Sequence, residues 1–200
     1  LLSVIGGSEA KGDAMILHRP AAIHVCALAR VHDVVEEIGA SHLVSAINAD
    51  LSPRTPASIA RACHLKLDMH DITEAQPGAT PPNTEHAARL VDFVQGWDRK
   101  APLLIHCFAG LSRSTAAAFI TLCALNPRVP EETIARALRR SSDTAVPNRL
   151  FVAHADALMR REGRMLAALS SMGRSKPAIE CVPFSVVCDH YPLQNHGRAA

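Results

Sequence analysis

The sequence predicts a three-layer α/β domain with a mostly parallel central sheet of four to five strands flanked by helices. Three observations point there. Short apolar runs alternate with stretches of helical periodicity between residue 21 and about residue 165, the pattern of strands joined by crossover helices. The run Pro102-Leu103-Leu104-Ile105-His106 is largely apolar without alternation, as expected of a strand buried on both faces. A strongly apolar segment from Ser112 to about Leu125 follows a short glycine-containing loop, which puts a buried helix directly after the central strand.

Taken in order, Ile23-His24-Val25-Cys26-Ala27-Leu28 reads as the first strand. A helix from about Arg30 to Ile38 carries Val31, Val34, Val35 and Ile38 on one face. Gly39 ends it, because glycine accepts the left-handed conformation past a helix C-terminus. His42–Ile47 is the second strand, parallel to the first. Thr55-Pro56 is expected to open a short helix to about Ala62, with Thr55 as cap and Pro56 in the first turn. His64–Leu67 is the third strand, leading into the loop Asp68-Met69-His70-Asp71-Ile72, and Gln76–Pro82 is loop by composition. Thr84 is expected to cap a helix with Ala88, Leu90, Val91, Phe93 and Val94 toward the core. Beyond the central strand and its helix, Pro130-Glu131-Glu132 starts another helix, with acidic residues at its positive end. A last helix runs from about Asn148 to Arg160. After Arg164 the pattern weakens at Gly173, Pro177, Pro183 and Pro192. The expected organisation is an N-terminal extension over 1–20, one domain over 21–165, and a loosely docked tail over 166–200. The opening stretch reads as a processing remnant, with Met15 a candidate start.

Composition narrows the function classes. The chain is 48% hydrophobic and 20% charged over 200 residues, the balance of a globular domain. No apolar run approaches membrane-spanning length, and the expectation is a soluble, cytoplasmic protein with no membrane partner. The formal net charge is +2, and no Lys/Arg cluster interleaved with aromatics suggests nucleic acid. Arg139-Arg140 and Arg160-Arg161 read as solvated helix faces. The six cysteines form no C-x-x-C pair and the eleven histidines no H-E-x-x-H, so zinc-ribbon, redox-pair and metalloprotease chemistries have no motif.

One segment carries chemistry. After the central strand come His106-Cys107-Phe108-Ala109-Gly110-Leu111-Ser112-Arg113-Ser114, and then a helix. Backbone N–H groups of a tight loop, residues Phe108, Ala109, Gly110, Leu111, Ser112 and Arg113, can cradle phosphate oxygens, and a helix N-terminus adds unpaired N–H groups and a positive dipole end. The same surroundings favour a thiolate at Cys107. Arg113 offers a planar fork for two phosphate oxygens. Gly110 permits the turn and close approach to a ligand, and Ser114 can donate its proton to the Cys107 sulfur when that sulfur becomes a leaving group. His106 braces the loop. Each residue also has a plain reading alone: Cys107 a buried small side chain, and Arg113-Ser114 a first turn capped by Ser112. Their coincidence at one strand–loop–helix junction favours the phosphate loop.

This segment matches H-C-x-x-G-x-x-R-S/T, the signature of the protein tyrosine and dual-specificity phosphatase superfamily. The stretch from about Ile23 to Arg160 resembles the bacterial tyrosine-phosphatase-like proteins of that superfamily. The resemblance implies a hydrolase with Cys107 as nucleophile, a phosphocysteine intermediate, phosphate bound by the loop and Arg113, and no metal or other cofactor. It implies a phosphorylated protein or small phosphomonoester as substrate, phosphotyrosine first and dual specificity as the alternative, and inorganic phosphate or sulfate bound in the loop. The family uses an aspartic acid on an upstream loop to protonate the departing oxygen. Asp68 and Asp71 both stand there; the shorter separation from Cys107 favours Asp71, and Asp68 is read as holding the loop by hydrogen bonding. Asn148, after Pro147, resembles the segment that packs beneath the phosphate loop, or is simply a helix cap. Cys26, at a strand's C-terminal end, reads as a buried cysteine that oxidation could pair with Cys107. The loop lacks Lys, and Tyr191 is the chain's one tyrosine, so no aromatic clamp for phosphotyrosine is apparent. A non-catalytic phosphate-binding module and a rhodanese-like sulfur transferase are the competing readings; Arg113-Ser114 and the upstream aspartates disfavour the latter.

Overall fold

The apolar run before the glycine loop lies at the middle of a five-stranded sheet. The computed structural model describes residues 21–188. The N-terminal extension with Met15, and the end of the tail with Tyr191 and Pro192, lie outside the described residues. The strands are β1 (Ala22–Ala27), β2 (His42–Ala46), β3 (His64–Leu67), β4 (Leu103–Cys107) and β5 (Phe184–Val187), in the spatial order β3-β2-β4-β1-β5. The first four are parallel, with Ile23 opposite Leu103 and Leu43 opposite Leu104, and β5 runs antiparallel to β1. The helices are α1 (Val31–Ile38), α2 (Thr84–Gln95), α3 (Arg113–Leu125), α4 (Glu131–Ser141), α5 (Arg149–Leu158) and α6 (Arg164–Ser171). This is the three-layer α/β architecture that the alternation of strands and helices predicts.

The period-two geometry of a strand sorts the core into two faces. Leu103 and Ile105 of β4, Ile23 and Val25 of β1, and Val44 and Ala46 of β2 pack with the layer of α2 to α6. Leu104, Cys26 and Leu43 point the other way, against Val31, Val34 and Val35 of α1 and Ile59. Every residue of β4 is buried, as are Arg113 to Cys123 of α3. Leu103, Leu104, Ile105, Ala116, Ala117 and Ile120 are wholly enclosed. Truncating one such Leu or Ile to Ala would remove roughly 2–5 kcal/mol of stability, so the strand–loop–helix unit stands on the best-packed part of the molecule.

Four local expectations are corrected. Residues Thr55–Ala62 form no α-helix; Thr55 spends its hydroxyl on His64 Nδ1 at 2.8 Å instead of capping, and only a 3-10 turn at Arg61–Cys63 follows. The cap of α2 is Asn83, whose side chain accepts from His86 N at 3.0 Å, while Thr84 Oγ1 pairs with His154. Arg161 is buried rather than solvated, donating to Glu131 at 3.1 Å and to the Cys123 and Pro127 carbonyls. A buried carboxylate attracts the nearest cation strongly enough to draw one arginine of the pair inward. Finally, the segment expected to dock loosely is integrated over its described part. Helix α6 buries Met165, Ala168 and Leu169, β5 extends the sheet, and Cys181 N donates to the Ala109 carbonyl at 2.9 Å.

Candidate active site

The C-terminal ends of the parallel strands converge on one edge, where open α/β sheets bind ligands. There β4 delivers Cys107, and residues 108–112 turn sharply before α3 begins at Arg113. The turn needs Gly110, which has φ +73°; a side chain there would be strained, and it would also strike the end of β1 and Cys181.

What shapes this loop is that its carbonyls are fastened from outside. Phe108 O accepts from Leu28 N at 3.0 Å, Ala109 O from Cys181 N at 2.9 Å, Leu111 O from Val146 N at 2.8 Å, and Ser112 O from Asn148 N at 3.3 Å. His106 Nδ1 lies 3.2 Å from Cys107 O. A trans peptide holds its C=O and N–H on opposite sides, so carbonyls drawn outward turn the following N–H groups inward. Gly110 N shows the result directly: it donates to Cys107 Sγ at 3.3 Å. Ser114 Oγ is 3.1 Å from the same sulfur.

At the start of α3, Ser112 makes no side-chain capping bond. Its hydroxyl donates to Asp71 Oδ1 at 2.6 Å, which leaves first-turn N–H groups free to face an anion. Arg113 is buried; Nη1 donates to the Met69 carbonyl at 2.9 Å, and Nε donates no hydrogen bond within the protein. A buried guanidinium with an unused donor beside a thiol is an arrangement suited to an oxyanion.

The structure brings Asp71 to this cluster. Its Oδ1 also accepts from Asn148 Nδ2 at 2.8 Å, and its Oδ2 lies 3.9 Å from Arg113 Nε. Asn148 caps α5, its Oδ1 accepting from Phe151 N, and its side-chain amide also donates to the Ile72 carbonyl at 3.3 Å, a contact with the Asp71 loop that the sequence did not suggest. Asp68 is turned elsewhere, accepting from Ala49 N at 2.7 Å. The loop carrying Asp71 is closed at its base, where His70 N donates to Thr80 O at 2.7 Å and Thr80 N to His70 Nδ1 at 3.0 Å. A cleft of about 420 Å³ opens beside Asp71 and Ser112, walled by Ile72, Val146, Pro147 and Arg149.

Two other thiols lie nearby, and their surroundings differ. Burial pushes Cys26 up to about 12 and Cys181 up to about 11, which keeps both as inert thiols at neutral pH. Among the described residues no three His, Cys, Asp or Glu side chains are grouped as a metal site, and no helix is long and apolar enough to cross a membrane.

Residues beneath the loop were not singled out from sequence. Ser45, near the C-terminal end of β2, stands opposite His106 of β4, with Oγ 2.6 Å from His106 Nε2 and 2.8 Å from His64 Nε2. Burial lowers His106 to about 4, and His64 to about 4 with a contribution from Lys66. A histidine ionises near pH 6.5 in an unfolded chain, so the folded state of each binds its proton less readily. Their stabilisation is therefore complete above about pH 6.5 and is lost as pH falls toward about 4. Replacing His64 with Gln should flatten the dependence of unfolding free energy on pH between these values by up to about 1.4 kcal/mol per pH unit, the slope of one proton. Denaturant titrations across that range check this, and equal slopes in both proteins would show that His64 is not buried neutral.

No family model matches the sequence, and no curated protein sequence matches it. The fold has clear counterparts among solved structures. The Cydia pomonella PTP-2 phosphatase superposes with a TM-score of 0.54 over 68% of this chain and 84% of its own, at 20% identity. DUSP15 gives a TM-score of 0.53 over 78% of this chain and 92% of its own, at 17% identity. The human tyrosine phosphatase-like serine/threonine/tyrosine-interacting protein gives 0.56 over 70% and 92%, at 16% identity. The chain shares the fold of these solved phosphatase structures.

Proposed function

We propose that the protein is a cysteine-dependent phosphomonoester hydrolase of the tyrosine and dual-specificity type, working through a phosphocysteine intermediate. One arrangement supports this above all: the Cys107 sulfur lies within reach of Gly110 N–H and Ser114 OH, in a loop whose carbonyls at Phe108, Ala109, Leu111 and Ser112 are bonded outward, with Arg113 and Asp71 on its rim.

In this reading the Cys107 thiolate attacks phosphorus, forming S–P as the P–O bond to the leaving group breaks. The equatorial oxygens lie against the loop N–H groups and the unused Nε of Arg113, where developing charge is stabilised. Asp71 Oδ1 holds two hydrogen bonds from Ser112 and Asn148, so Oδ2 carries the proton given to the leaving oxygen. Water then attacks phosphorus, Asp71 takes its proton, and the S–P bond breaks with Ser114 donating to the departing thiolate. Phosphotyrosine is the substrate we favour, with the cleft beside Ile72 and Val146 taking the leaving group.

The test is leaving-group dependence. Asp71→Asn should slow phosphotyrosine hydrolysis by ~10²–10⁴-fold, with a smaller loss for aryl phosphates whose leaving groups are stable anions. Asp68→Asn should cost far less, since that carboxylate holds Ala49. Rates equally insensitive to leaving group in both variants would remove the general acid and favour a phosphate-binding module.

A further inference from the structure

Of the fastenings on the loop, the one at Cys107 O is made by a side chain, His106, and so depends on where a proton sits. From His106 a continuous series runs away from the site: His106 Nε2 to Ser45 Oγ at 2.6 Å, Ser45 Oγ to His64 Nε2 at 2.8 Å, and His64 Nδ1 to Thr55 Oγ1 at 2.8 Å. Ser45 and His106 are fully enclosed, His64 is nearly so, and Thr55 lies part-exposed in the segment covering the α1 face.

The chemistry of each atom fixes every proton. A carbonyl oxygen only accepts, so His106 Nδ1 must carry a hydrogen to bond Cys107 O. Buried and neutral, His106 then has a bare Nε2, which accepts the single hydroxyl proton of Ser45. With that proton spent, Ser45 Oγ accepts from His64 Nε2–H. Neutral His64 then has a bare Nδ1, and Thr55 donates to it. All four bonds point one way, and the two histidines hold opposite tautomers.

We propose that Thr55, His64 and Ser45 are positioning residues that act through His106 to orient the first peptide plane of the phosphate loop. With Cys107 O held by His106, the planar peptide turns Phe108 N–H to the opposite side, toward the anion site. Without the Thr55 hydroxyl, His64 is free to move its proton to Nδ1. Ser45 must then donate to His64, His106 Nε2 loses its donor, and His106 no longer holds one tautomer. This inference rests on the reading of Cys107 as the nucleophile for its consequence, though not for the proton arrangement itself.

Thr55→Val preserves shape and removes only the hydroxyl, Thr55→Ser restores it, and Ser45→Ala breaks the series in the middle. Ring-nitrogen NMR shifts at neutral pH should show His106 protonated at Nδ1 and His64 at Nε2 in the wild type and in Thr55→Ser. Thr55→Val should show mixed tautomers at both rings. Alkylation of Cys107 by iodoacetamide at pH 7 should slow about 3–10-fold in Thr55→Val and in Ser45→Ala, and recover in Thr55→Ser. Unchanged tautomers and unchanged alkylation in Thr55→Val and Ser45→Ala would overturn the proposal, as would Thr55→Ser behaving like Thr55→Val. Failure of the phosphatase reading looks different: the wild type would not turn over aryl phosphates, while the tautomers and their response to Thr55 would stand.

Discussion

Replacing Cys107 with Ser should abolish turnover of an aryl phosphate while the fold and oxyanion binding persist. A hydroxyl ionises far less readily than a thiol, and the site contains no base placed on residue 107 to activate it. The rest of the binding apparatus does not depend on sulfur. The carbonyls of Phe108, Ala109, Leu111 and Ser112 remain fastened to Leu28, Cys181, Val146 and Asn148, and Arg113 remains anchored on Met69 O. Activity should fall to the detection limit, and phosphate or sulfate should still bind with an affinity close to that of the wild type. Binding is read by calorimetry and folding by thermal melting. A folded Cys107→Ser protein that retained a substantial rate would exclude the sulfur as nucleophile.

A second large loss is expected from Gly110→Ala, for a steric reason. An added Cβ would overlap Cys181 Sγ and would lie 2.9 Å from the carbonyl carbon of Cys26 and 3.0 Å from Ala27 N. The backbone there is also left-handed, which costs a residue with a side chain about 1–2 kcal/mol. The loop must shift, and a displacement near 1 Å at a catalytic centre is worth ~10²-fold or more in rate. The sulfur is the end of a short side chain and can be removed; the other two contacts are backbone of the sheet and cannot. Combining Gly110→Ala with Cys181→Ala should therefore leave activity and oxyanion binding near the level of Gly110→Ala alone. If the double variant regained wild-type turnover, contact with Cys181 alone would limit this position, and the close approach of the loop to β1 would not matter.

The parts of the site that could be read in the sequence are those that lie together in it. Cys107 through Ser114 form one contiguous strand–loop–helix segment, and each side-chain type there has a chemical reason to be present. Asp71 was legible only through the resemblance, which calls for an aspartate on a loop upstream of the signature and admits Asp68 as well. The fastenings of the loop carry no such signal. Leu28, Val146 and Cys181 act through backbone N–H groups, which any residue but proline supplies. Ser45 is a different case: a polar residue inside an apolar strand needs a buried partner, and this was a legible cue. Thr55-Pro56 misled because the same hydroxyl that caps a helix can serve a distant histidine. The arginine pair at 160–161 misled because local spacing says nothing of Glu131, thirty residues away in the chain and 3.1 Å away in space.

The bond from Cys181 N to Ala109 O also orders events in time. A chain is made from its N-terminus, at ~5–20 residues per second. The segment with Cys107 and Arg113 thus emerges before the residue that supports it, since Cys181 and then β5 come last among the described elements. During that interval β1 has no antiparallel neighbour and Ala109 O has no donor from Cys181. Early folding can build the parallel sheet and the helix behind Cys107, while the full set of hydrogen bonds around residues 108–112 waits for Cys181. The nascent chain is in this way delayed in completing the hydrogen bonds around the loop after Cys107.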